Sequence, residues 1–125
     1  MTTPRLHGIT NCDTVKRARA WLTDQGVAHD FIDFKKAAPK PGDLQRWSGA
    51  VGWERLLNRQ GTTWRKLDGA MQATVVDAAS AQALMQAQAS VIKRPVVEWP
   101  DGVVTVGFSP EAWAERLRHA APAPR

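Results

Sequence analysis

Residues 6–18 read Leu6-His7-Gly8-Ile9-Thr10-Asn11-Cys12-Asp13-Thr14-Val15-Lys16-Arg17-Ala18. Leu6 to Ile9 forms a short strand. Thr10 to Thr14 is dense in helix-capping residues. The apolar positions Val15, Ala18 and Leu22, at spacings of three and four, then predict a helix to about Gln25. Trp21 flanks that stripe, and Gly26 supplies the left-handed residue that ends such a helix. Val27 to Phe34, with Phe31, Ile32 and Phe34, reads as a second strand suited to a half-buried pleated surface. Strand, helix, strand over residues 5–34 is a crossover unit with parallel strands.

Working outward, Lys35 to Gly42 is a loop marked by Pro39 and Pro41. Asp43 to about Ala89 reads as several short helices. Asp43 caps the first, which carries Leu44, Trp47 and Val51. A turn or two spans Trp53 to Asn58. Thr62 or Thr63 caps a piece bearing Trp64 and Leu67, and a helix from about Ser80 to Gln88 turns Ala81, Leu84 and Met85 inward. β signals return at Val91 to Trp99. Pro100-Asp101-Gly102 is a turn, and Val103 to Phe108 is the return strand of a hairpin. Ser109-Pro110-Glu111 opens a last helix with a capping serine, a first-position proline and a first-turn acid. The order is a βαβ…ββα plan: an α/β mixed sheet flanked by helices, compatible with a thioredoxin-like fold carrying a helical insertion after its second strand.

The chain has 125 residues, ordinary for one domain. Apolar residues make up 43% and charged residues 23%, which excludes a disordered or collagen-like chain. No run approaches the roughly 20 apolar residues of a membrane span. No secretory signal is visible behind Met1-Thr2-Thr3-Pro4-Arg5, so the expected compartment is the cytoplasm. Net charge is +5. The basic residues are scattered rather than gathered in a tract, so a solvated face is expected, not a nucleic-acid site.

Cys12 is the one cysteine. It can form no internal disulfide, and metal-ligand spacing is absent around it. Its place, where a strand hands over to a helix, bears on its chemistry. The first N–H groups of a helix have no intrahelical partners and favour negative charge. A thiolate there is stabilised, and the thiolate is the nucleophile. Asn11, Asp13 and Thr14 can supply further local hydrogen bonds, and Lys16 and Arg17 add positive charge. The alternative is a small buried residue with no chemical role. Pro95 is a second feature. A proline within a strand marks an edge or a special bond. In a thioredoxin-like plan this place holds a cis-proline facing the active cysteine; otherwise it is a trans-proline starting an edge strand.

The segment Gly8 to Ala18 resembles the active-site segment of the arsenate reductase (ArsC) superfamily, in its YffB/Spx-like branch. Leu56-Leu57-Asn58-Arg59-Gln60-Gly61-Thr62-Thr63-Trp64-Arg65-Lys66-Leu67 resembles a second family block. Ile92-Lys93-Arg94-Pro95 resembles a third, and Gly107-Phe108-Ser109 the end of the last strand. The matches are in order and span residues 5 to about 118. The resemblance implies a thioredoxin-like domain over residues 1–119 with an all-helical insertion at about 43–89, and a flexible C-terminal tail at 120–125. It matches Cys12 to the family's nucleophile and Arg94 to a basic residue beside the cis-proline that helps hold an anion or thiolate. Arg59 is the nearest candidate for a second anion-binding arginine, one place away from the family's Asn-Thr-Arg-Gly pattern. No arginine follows the last strand here, and His7 is displaced from the position of the family's histidine.

A partial arginine clamp suits thiol–disulfide exchange better than a dianionic arsenate. No cysteine stands three residues after Cys12, so a monothiol centre needs an outside thiol. Glutathione is the natural co-substrate, with no bound cofactor and no metal. Lys16, Lys35, Lys93 or Arg94 could pair with its carboxylates, and the strand edge before Pro95 with its backbone. The candidate binding set is therefore Asn11, Asp13, Thr14, Lys16, Arg59, Lys93, Arg94 and Pro95 around Cys12. The expected function is a glutathione-dependent thiol oxidoreductase acting on a small oxyanion or disulfide substrate. The alternatives are a glutathione- or glutaredoxin-dependent arsenate reductase and a non-catalytic Spx-like module that binds a protein partner. Trp21, Trp47, Trp53 and Trp64 are expected in the core or insertion, and Trp99 at the surface. His7, His29 and His119 show no obvious partners.

Overall fold

The computed structural model describes residues 3–119. Four strands, β1 (Arg5–Gly8), β2 (Asp30–Asp33), β3 (Val96–Glu98) and β4 (Val104–Val106), form one sheet in the order β2-β1-β3-β4. β1 and β2 run parallel, whereas β1–β3 and β3–β4 are antiparallel. Helix α1 (Asp13–Asp24) connects β1 to β2, and α7 (Pro110–His119) follows β4. Between β2 and β3 lies the all-helical insertion: α2 (Pro41–Val51), α3 (Trp53–Leu56), α4 (Thr62–Arg65), α5 (Gly69–Ala73), α6 (Ala78–Ala87) and one 3₁₀ turn at Ala89–Val91. This is the expected mixed α/β, thioredoxin-like plan. The tail expected at 120–125 lies outside the described residues.

Side chains alternate across the sheet and so build two cores. Leu6 and its partner Val97 face Val15, Ala18 and Leu22 of α1 and Trp113 of α7. Val96, one residue away, faces Leu44, Trp47, Leu84 and Met85 of the insertion. Trp99 is buried rather than exposed: its ring packs edge-on against Trp113 at 5.2 Å, and its indole N–H donates to Thr105 Oγ1 at 2.9 Å. The polar tip is satisfied, so the hairpin end can hold a large aromatic inside.

Several boundaries move, each because a backbone group is spoken for. β2 begins at Asp30, since Val27 N–H closes the end of α1 on Leu22 O at 2.9 Å. β3 begins at Val96, since Ile92 bridges Leu57 and Lys93 N–H bonds Leu56 O, tying 92–93 to the insertion instead of β1. α2 begins at Pro41, with proline pre-set for the first turn. Asp43 is inside that helix and accepts the Lys40 N–H at 3.0 Å. α4 is preceded by Gly61, so Thr62 opens the helix and does not cap it. α6 starts at Ala78 because Asp77 caps it through Ser80 N–H.

One polar cluster ties the insertion to the sheet. His7 of β1 is buried, and its Nε2–H donates to Glu98 Oε1 of β3 at 2.8 Å. Arg46 of α2 forks onto the same carboxylate through Nε and Nη2, at 3.2 and 3.1 Å to Oε2. Its Nη2 also donates to Asp43 Oδ1. A carboxylate already accepting from Arg46 can only accept from His7, which fixes the imidazole tautomer. Burial pushes the His7 pKa down, and the Glu98 carboxylate opposes this without overcoming it. The unfolded chain therefore takes up the proton first, and stability falls as pH drops below the ordinary histidine value of about 6.5. Urea midpoints at pH 7.5 and 5.5 are expected to show this loss in the wild type and a smaller one in His7→Gln. Glu98→Gln is expected to cost about 1–3 kcal/mol at pH 7.5, by leaving buried donors poorly matched.

Candidate active site

The site begins at the end of β1. A Cβ on Gly8 would lie 2.8 Å from Val15 Cγ2, so only glycine lets α1 seat this closely on the strand. Cys12 is the N-cap residue of α1, extended at φ −147° and ψ 119°, and its carbonyl accepts the Lys16 N–H at 2.9 Å. The side chain is half-buried. It makes no cap hydrogen bond of ordinary geometry. Burial pushes the Cys12 thiol up, but the N–H of Val15, the Arg94 guanidinium and the N–H of Thr14 together bring it below the usual cysteine value. The helix end and a cation both favour the thiolate over the thiol.

Arg94 reaches the site from the segment before β3. Its Nη1 donates to Ser90 O at 2.9 Å, while Nε is shielded from solvent without a hydrogen-bond partner. The Arg94–Pro95 peptide is cis. Pro95 is buried, and its carbonyl accepts the Gly107 N–H at 2.9 Å. Gly107 has φ 80°, and a Cβ there would lie 3.3 Å from Lys93 Cε. The 93–95 segment is thus laid against the end of β4, with Lys93 exposed beside Arg94.

An open cleft of ≈ 1800 Å³ runs from Cys12 along β4. Of the residues singled out from the sequence, Cys12, Thr14, Lys93 and Arg94 line it together. Pro95 is buried and does not line it. Asn11, Asp13 and Lys16 are exposed and do not line the cleft. Arg59 is turned elsewhere: its guanidinium lies over the rings of Trp53 and Trp64, at 5.5 and 5.7 Å. Lys35 is exposed outside the cleft.

Arg17, Arg55 and Asn58 line the cleft as well. Arg17 carries a local signal, since it lies three residues after Thr14 and so shares its helix face. Arg55 carries none, because its place depends on how the insertion docks. Among the described residues, no cluster of His, Cys, Asp and Glu could hold a metal ion, and no helix is long and apolar enough to cross a membrane.

A model described as the ArsC family matches residues 7–116. A solved structure named YFFB protein is 50% identical, with a TM-score of 0.85 over 90% of this chain and 97% of that one. An arsenate reductase (ArsC) related protein from Brucella melitensis is 46% identical, with a TM-score of 0.74 over 94% of this chain and 96% of that one. An uncharacterized protein from Haemophilus influenzae is 34% identical over 104 residues, 83% of this chain and 90% of its own length.

Arg94→Gln removes the guanidinium beside the thiol. The midpoint of the Cys12 alkylation rate against pH is expected to move upward in this variant, and to move less in Arg94→Lys. An unmoved midpoint in Arg94→Gln would leave the cation without a part in ionising Cys12.

Proposed function

The chain belongs to the ArsC family, and on that premise we propose that it is a cytoplasmic, glutathione-dependent thiol oxidoreductase with Cys12 as its single nucleophile. The observation that carries this reading is the half-buried thiol at the N-cap of α1, drawn toward the thiolate by helix N–H groups and Arg94. Residues 1–119 act in it as one domain.

The Cys12 thiolate attacks one sulfur of a substrate disulfide. The new S–S bond forms as the old one breaks, and the electron pair leaves on the second substrate sulfur, which takes a proton from water. A glutathione thiolate then attacks the Cys12 sulfur, expels the bound half as a thiol, and leaves Cys12 joined to glutathione. A second glutathione attacks the glutathione sulfur of that bond, giving glutathione disulfide and the free Cys12 thiolate. The whole consumes two glutathione molecules and turns one disulfide into two thiols. An outside thiol is required because the chain has no other cysteine.

Arg94, beside the thiol, and Lys93, which lines the same cleft, suit the carboxylates of glutathione. Thr14, at the opening of α1, can donate to a bound sulfur or carboxylate. Asn11, Asp13, Lys16 and Arg59 stand further out and would contact only the periphery of the ligand. Pro95 keeps its part as the residue that follows Arg94 into β3.

Arsenate reduction is the second reading. It is favoured by the presence of Arg17 and Arg55 in the same cleft as Arg94, where guanidinium forks suit an oxyanion. Turnover of arsenate with glutathione, lost in Cys12→Ser, would move the assignment to that reaction.

Mass spectrometry after incubation with glutathione disulfide at pH 7 is expected to show one glutathione per chain, located on Cys12 and released by excess reduced glutathione. Cys12→Ser is expected to take up none. An absent adduct, or one that reduced glutathione fails to release, would overturn the thiol oxidoreductase reading.

A further inference from the structure

The cleft is lopsided in charge. At its Cys12 end stand Arg94, beside the thiol, and its neighbour Lys93; Arg17 follows Cys12 by five residues in α1, and Arg55 of α3 precedes Leu56, whose carbonyl accepts the Lys93 N–H at 2.8 Å. Its two carboxylates, Asp101 and Glu115, lie toward the far end of the β3–β4 hairpin. Both are already engaged, Asp101 with Arg116 at 3.0 Å and Glu115 with Arg118 and His119. Among the described residues, none of these four cations is in an ion pair. Even with Cys12 as a thiolate, three of the four positive charges in this concave surface are left without an opposite charge. Concave walls focus such a field and raise the local concentration of anions.

Position separates the four. Arg94 acts on the sulfur itself, and Lys93 is its neighbour in sequence. Arg17 and Arg55 come from two other elements, α1 and the insertion. Ala50 and Val51, at the end of α2, line the same wall as Arg55. The insertion therefore brings a cation into the cleft that Cys12 also lines, in addition to covering the sheet. Guanidinium groups pair with carboxylates through two parallel hydrogen bonds, which gives direction as well as attraction.

Taking Cys12 as the attacking thiolate of the proposed function, we infer that the disulfide it attacks carries carboxylates close to its sulfur atoms, and that Arg17 and Arg55 select it. They are specificity-determining residues. They hold the carboxylates flanking the S–S bond while Cys12 forms the new bond and the leaving thiolate departs with the electron pair. A small anionic disulfide and an acidic protein segment both present this chemistry.

Three dialkyl disulfides of similar length test it: dianionic dithiodipropionate, neutral bis(2-hydroxyethyl) disulfide and dicationic cystamine. The measured quantity is the second-order rate of mixed-disulfide formation on Cys12, divided by the rate of free 2-mercaptoethanol with the same disulfide. That division removes differences in leaving-group reactivity. The normalised rate is expected to favour the dianion over the dication by about tenfold or more at low salt. The preference is expected to shrink in high salt. It is also expected to shrink in Arg17→Gln, in Arg55→Gln and further in the double variant, while Lys66→Gln, which removes an equal charge at an exposed position outside the cleft, leaves it unchanged. A pair of peptide disulfides, with glutamates or glutamines flanking the cysteine, distinguishes the sources. A larger preference in the peptide pair than in the small series assigns a protein segment, and an equal one assigns a small molecule. Equal normalised rates for all three disulfides, or a preference untouched by the Arg17 and Arg55 variants, would overturn the inference. A Cys12 no faster than the free thiol would instead count against the ionised nucleophile, since charge preference can still be read from a slow thiol.

Discussion

A side chain on Gly8 would lie 2.8 Å from Val15, and the rest of the site follows from that missing side chain. Because Gly8 offers only backbone, the first turn of α1 rests directly on the end of β1. The helix N-terminus is then held at the end of a central strand rather than out in solvent. Cys12, as the N-cap residue, is placed where unpaired N–H groups converge. Leu6 and Val97 on one side and Val15, Ala18 and Leu22 on the other bury the contact and fix its geometry. The thiol is placed by packing, and its ionisation is set by what that packing brings near.

The two faces of the sheet divide the work. The α1–α7 face, with Trp99 and Trp113 in edge-on contact, anchors the helix that carries Cys12. The opposite face receives the insertion, which is held by a large apolar core and by one ionic tie from Arg46 to Glu98 and His7. That docking covers β3 and β4, receives residues 92–93 onto Leu56 and Leu57, and so sets where Arg94 stands. It also sets where Arg55 stands. The Cys12 thiol is supplied by one face, and its cationic surroundings are supplied largely through the other.

What could be read from residues alone was local. The stripe Val15, Ala18, Leu22, the left-handed Gly26, the Pro100-Asp101-Gly102 turn and the Ser109 cap each act within a few positions, and each stands where the sequence places it. The ArsC resemblance pointed to Cys12 and Arg94, two residues far apart in the chain that the fold brings together. Features set by distant partners were not legible. His7 finds Glu98 91 positions away, and nothing in its neighbourhood announces that. Val91 to Lys93 looks like strand and has β-branched residues, yet its backbone pairs with the insertion. Trp99 looks exposed beside a turn until Thr105 is seen to accept its N–H. Arg59 occupies the arginine-bearing block but lies over two indole rings, and Arg55, four residues earlier, lines the cleft instead.

Folding draws the Cys12 thiol below its ordinary value through the Val15 and Thr14 N–H groups and Arg94. The most direct measurement is the pH titration of the Cys12 ¹³Cβ chemical shift in the folded protein, set beside the same nucleus in urea-unfolded chain. A folded midpoint clearly below the unfolded one is expected. A folded midpoint equal to or above the unfolded one would contradict it, whatever reactions the protein proves to carry out.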